Sequence, residues 1–138
     1  MENIMQEQYV SLEIAKVLKK KGFPITKYGW SCFKGKVLDK KPHTFINDDG
    51  RGGWYDTFRD WISCPTQSLV LKWLREKHHI IISPKPNSFY EGMECRSWSY
   101  DIWADDNFEE YNKDYHTYED AVEAAIKYCL RGNTYIKV

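Results

Sequence analysis

Carboxylates and histidines are the residues of this chain whose types and spacing come closest to chemistry. Asp56 and Asp60 match Asp101 and Asp105 in two segments, YDTFRD at 55–60 and YDIWAD at 100–105. Two strand-borne carboxylates can act as acid and base or hold magnesium. Asp56 and Asp101 alternate with apolar neighbours, however, so aspartates facing water explain both segments more simply. His78 and His79 are adjacent. Neighbouring residues point apart on a helix or strand, whereas a helical metal pair needs i, i+4 spacing. Capping of a helix C-terminus is their simpler role. His43 and His116 stand alone. Asp48-Asp49-Gly50 invites a calcium-loop reading, but with Gly50 at the sixth loop position the first and twelfth positions are Phe45 and Asp56. The first ligand and the bidentate Glu are both missing.

Cysteine gives no metal or redox motif. Cys32, Cys64, Cys95 and Cys129 lie more than thirty residues apart, without a CxxC pair. Free thiols are expected, with Cys129 in the core. Neither GxGxxG nor GxxxxGK[ST] occurs, and Gly50-Arg51-Gly52-Gly53 reads as a turn. No catalytic residue, metal ligand or cofactor is assigned. A binding patch is easier to name: Lys34, Lys36, Lys40 and Lys41 follow Trp30 and Phe33. Lysines beside exposed rings suit phosphate contact with base stacking. A solvated lysine loop accounts for the same residues and is the simpler account.

The 138 residues suit a single domain, with residues 1–9 a polar lead-in. Six Trp, ten Tyr and six Phe supply ample core material, or anchors for a partner. Twenty basic and twenty acidic residues cancel, which excludes a strongly basic nucleic-acid coat or a polyacidic tail. The charge is nonetheless polarised. Residues 1–41 hold nine Lys and four acids, while residues 101–123 hold nine acids and one Lys. That polarity can steer a charged partner or favour head-to-tail contact between copies. The acidic stretch can also mimic nucleic acid towards a basic partner. MENIMQEQY carries no signal-peptide pattern and no apolar run spans a bilayer, so a cytoplasmic chain with no membrane contact is expected.

Three helices must position these residues. The first runs from a Ser11 cap to Gly22, with Lys19, Lys20 and Lys21 at the negative end of its dipole. The second starts near Pro65-Thr66 with the stripe Leu69, Val70, Trp73 and Leu74, and ends at His78-His79. The third starts at Thr117, with Asp120 completing a capping box. Its expected inner face holds Tyr118, Ala121, Ala125 and Tyr128, beside Val122, Ile126 and Cys129. Strands are expected at 28–33, 43–47, 53–58, 79–83, 89–95 and 99–104, with a short one closing the chain. Pro84 and Pro86 should stop the fourth of these, and the fifth and sixth should form a hairpin. Residues 105–116 show no helical period and are left without an element.

The fold class is therefore α+β: three helices packed on antiparallel strands in the order α-βββ-α-βββ-α. Two pseudo-repeated halves are an option. IAKVLKKKGF at 14–23 resembles VLKWLREKHH at 70–79, and the two YD segments resemble each other, though at a different offset. An α-β-β-β-α order also resembles the double-stranded RNA-binding domain, which grips phosphates with basic residues opening its closing helix. Those positions here are Thr66, Gln67 and Ser68, or Tyr118, Glu119 and Asp120, and so are neutral or acidic.

Three stretches, YVSLEIAKVLKKKGF (9–23), CPTQSLVLKWLREKHHIIISP (64–84) and YEDAVEAAIKYCL (118–130), together resemble short proteins of gut Bacteroidales genomes, their prophages and related phages. The resemblance implies a cytosolic domain from a mobile element and no particular activity. Taken together, the expectation is a non-enzymatic interaction module that binds a protein partner or itself. The alternative is a nucleic-acid-associated accessory protein using the Lys34–Lys41 loop.

Overall fold

A computed structural model describes residues 8–24, 31–34, 43–44, 61–87, 97–105, 107–131 and 136. The chain divides into two compact units, residues 1–66 with Val138, and residues 67–137. The order of the described elements is α-βββ-α-βββ-α, so the protein is α+β, with two antiparallel three-stranded sheets among the described residues.

In the first unit, helix α1 spans Leu12–Lys20. The Ser11 side chain accepts from the Ile14 amide at 3.3 Å, so one orphan amide of the first turn is capped. The helix closes as a Schellman turn. Phe23 N–H reaches the Leu18 carbonyl at 3.0 Å and Gly22 N–H the Lys19 carbonyl at 3.4 Å. That turn needs a left-handed residue, and Gly22 supplies it at φ +87°. Ile14, Ala15 and Leu18 are the buried stripe, and the helix packs on strand β3, Trp61–Cys64. β1 (Ser31–Lys34) lies between β3 and β2 (His43–Thr44). The chain ahead of α1 is tied to the same sheet. Tyr9 bridges Thr66, Val10 N–H donates to the Pro65 carbonyl at 3.0 Å, and the Cys64 thiol donates to the Val10 carbonyl at 2.9 Å.

The second unit has the order α-β-β-β-α. Helix α2 spans Gln67–His78, and strands β4 (Ile80–Pro86), β5 (Trp98–Ala104) and β6 (Asn107–Tyr115) form a meander with β5 central. Helix α3 spans Tyr118–Leu130, and Thr117 caps it by accepting from the Asp120 amide at 3.0 Å. Both helices pack on the sheet. Val70 and Leu74 from α2, and Ala121, Val122, Ala125, Ile126 and Cys129 from α3, are fully buried with Ile80 and Ile102 of the sheet. The small alanines let α3 lie close to the strands. Gln67 is buried too, and its Nε2 donates to the Glu119 carbonyl at 2.9 Å, joining the first turns of α2 and α3.

Several expectations are corrected. β4 runs through Pro84 and Pro86 instead of stopping before them. Among the described residues it is an edge strand, and the two prolines share one parity, so their missing amides fall on one side of the strand. Both sides of β5 are taken, by β4 and β6, and the expected strand at 89–95 lies outside the described residues. Residues 107–115 form a full strand where the sequence reading placed no element. β3 at 61–64 was also unread. On α3, Tyr118 is exposed rather than part of the inner face, and its ring meets Trp98 edge-on at 5.3 Å. The described strand orders are β2-β1-β3 and β4-β5-β6, which lend the option of two pseudo-repeated halves no support. The expected strand at 53–58, and with it YDTFRD, lies outside the described residues.

Candidate interaction surface

Strand alternation gives the second unit's sheet two unlike faces. The helix-covered face carries Ile80, Ile82, Tyr100, Ile102 and Ala104, all buried. The opposite face carries, in register across the three strands, Ile81, Trp103 and Phe108. Each is about half exposed, at 49%, 50% and 46%. The Trp103 and Phe108 rings lie 4.2 Å apart between centroids, at 41°. An antiparallel sheet with one bare face ordinarily puts polar residues on it. Three large apolar residues in one row depart from that pattern, while the next rows return to it.

Those rows are held by charge. Lys85 Nζ lies 2.9 Å from Asp101 and 3.0 Å from Glu110, and donates to Asn112 at 3.4 Å. Hydrogen bonds to Asp101 and then Glu110 raise the Lys85 pKa above its ordinary value. Beyond them, Ser99 Oγ donates to Asn87 Oδ1 and Asn87 Nδ2 to Asp114 Oδ1, both at 2.7 Å. Asp101 is thus a cross-strand structural partner of a lysine.

At the other end of the face the apolar row meets a hollow of about 470 Å³. Among the described residues, His79, Ile81, Ser83, Trp103 and Asp105 line it. His79 and Asp105 are the two described non-glycine residues with left-handed backbone, at φ 56° and 53°. His79 makes the sharp join from α2 to β4, and Asp105 the turn from β5 to β6. Such positions are uncommon outside glycine, and they bring an imidazole and a carboxylate to the rim beside Trp103.

The helix side holds a different cluster. The hydroxyls of Tyr111 and Tyr128 both donate to Glu109 Oε2, Tyr128 at 3.2 Å. Tyr111 stacks on Tyr100 at 4.9 Å, and Tyr128 lies 4.7 Å from Tyr111. Burial, and for Tyr111 also its bond to Glu109, raises both Tyr100 and Tyr111 above the usual phenol pKa. Burial and the Glu109 charge push the Cys129 thiol up to about 12. A thiol so far from ionisation is no nucleophile at neutral pH. The cluster is a satisfied network that seats α3 on β6.

The residues singled out in the sequence fall unevenly. Phe33 and Lys34 occupy consecutive positions of β1, opposite Ile62 and Trp61. Trp30, Lys36, Lys40 and Lys41 lie outside the described residues, as do Asp56 and Asp60. His78 is half-buried, its ring meets Trp73 edge-on at 4.5 Å, and its Nε2 is buried without a hydrogen-bond partner among the described residues. Among the described residues, no group of three His, Cys, Asp or Glu gathers to hold a metal ion. No described helix is long and apolar enough to cross a membrane. Sequence reasoning missed the Ile81, Trp103 and Phe108 row because Phe108 lay in a stretch with no assigned element. Residues 108–115, FEEYNKDY, do not alternate apolar with polar side chains, so no strand period in the sequence marked the row.

No family model matches the chain, and neither any curated protein nor any solved structure matches it.

Proposed function

We propose that this chain is a protein-interaction module whose contact surface is the bare face of the β4-β5-β6 sheet. The observation that carries this reading is the cross-strand row Ile81, Trp103 and Phe108, each about half exposed. Aromatic side chains at the centre of a contact are the usual anchors of protein interfaces. The charged rows around Lys85 then form a polar rim beside an apolar centre. The resemblance of three segments to phage and prophage proteins is the ground for a mobile-element origin.

Sedimentation velocity on the wild type and on Trp103→Ser/Phe108→Ser tests self-association, with affinity capture from a host lysate as the parallel arm. A self-associated species, or one stoichiometric partner, is expected with the wild type and is lost in the double variant. The melting temperature must hold within a few degrees. Identical behaviour of the two proteins in both arms overturns the reading. No described feature favours nucleic acid at this face, since Asp101, Asp105 and Glu110 lie on or beside it.

A further inference from the structure

Resting on that reading, we infer that the partner segment is basic, and that one of its arginines stacks on Trp103 with its guanidinium against Asp105. The hollow of about 470 Å³ offers three chemistries together: an indole half open to solvent, an aliphatic wall at Ile81, and an aspartate at its rim. Guanidinium matches all three. Its plane stacks on an indole, its fork fits a carboxylate, and its methylene stem packs on aliphatic surface.

Charge selects the same occupant. Asp101, Asp105 and Glu110 lie on or beside this face. Asp101 and Glu110 are already shared by Lys85. Asp105 is exposed at the rim of the hollow, where its carboxylate can meet a visiting cation. A nucleobase could stack on Trp103 as well, but its phosphates would meet this acidic surface, and so a basic protein segment is favoured over nucleic acid. Ser83 adds a hydroxyl on the same wall.

The test is fluorescence anisotropy with labelled (Gly-Arg)6 and (Gly-Lys)6 peptides and a labelled oligo-dT strand, all at about 150 mM salt. The arginine peptide should bind about fivefold or more tightly than the lysine peptide, since only guanidinium both stacks and forks. Trp103→Leu keeps apolar bulk but removes the ring. Asp105→Asn removes the charge while keeping a side chain that tolerates left-handed backbone. Each should weaken arginine-peptide binding about fivefold or more. Glu119→Gln, the same charge change on an exposed residue of α3, should shift it less than about twofold. No binding of the arginine peptide overturns the inference. So does equal binding of the two peptides, an Asp105→Asn effect no larger than that of Glu119→Gln, or preference for the oligonucleotide. Loss of association in Trp103→Ser/Phe108→Ser together with failure of the arginine peptide would leave the docking face standing and remove only its cationic partner.

Discussion

Two side chains of the second unit respond to their surroundings in ways that solution measurements can read. His78 is half-buried against Trp73, and burial, then the Lys77 charge, lowers its pKa from the ordinary 6.5. The folded state therefore holds fewer protons at this site than the unfolded state in the window just below 6.5. Above that window the group has no effect, and as the pH falls through it stability is lost. Urea midpoints at pH 7.5 and 5.5 should fall with acidification in the wild type, and fall less in His78→Phe. Equal slopes in both proteins would remove the role given to His78. Cys129 behaves differently. Fully buried and pushed up to about 12, it should label with iodoacetamide at pH 8 only as the protein unfolds. Labelling of native protein at the rate of a small free thiol would contradict the packing of α3 on β6.

Helix ends and strand edges set behaviour at the scale of elements. Gly22 at φ +87° has nothing within 4 Å of where a Cβ would stand. Gly22→Ala should thus cost about 1 kcal/mol, from backbone conformation alone and without a clash. Thr117→Ala removes the cap that accepts from Asp120 and should also cost about 1 kcal/mol. Chemical denaturation reads both, and Thr117→Ser should recover most of the second loss. The edge strands carry their own protection. β4 presents Pro84 and Pro86, and β6 presents Glu110, Lys113 and Asp114 among its exposed residues. Prolines and charges at an edge discourage pairing with other chains. Association by strand pairing at the rim is thereby disfavoured.

The whole chain is two compact units, each with a sheet, and the second unit with its own well-filled core. Ile102 sits at the centre of that core, fully buried on the middle strand. Ile102→Ala should cost about 2–5 kcal/mol, read as a lower melting temperature by circular dichroism. Trp103→Ser, one residue away but on the bare face, should cost far less. The contrast between these neighbours measures how completely the sheet separates a buried face from an exposed one.

What the sequence determined by itself was the class and the helices. Ser11, Gly22 and Thr117 are local signals that act within a few residues, and each stands at the helix boundary it predicts. The α+β class and the element order follow from the same short-range patterns. Strand identity was decided by tertiary structure. Pro84 and Pro86 stay in β4 because it is an edge, and residues 107–115 become a strand because β5 offers them a partner. Neither fact is local. The exposed apolar row is less local still. Ile81, Trp103 and Phe108 are separated by 22 and 5 positions in the chain, and form a row only once the meander fixes their register. Nor does the sequence say which face the helices cover. That choice follows from packing α2 and α3 against Ile80, Ile82 and Ile102, which leaves Ile81, Trp103 and Phe108 about half exposed on the other face.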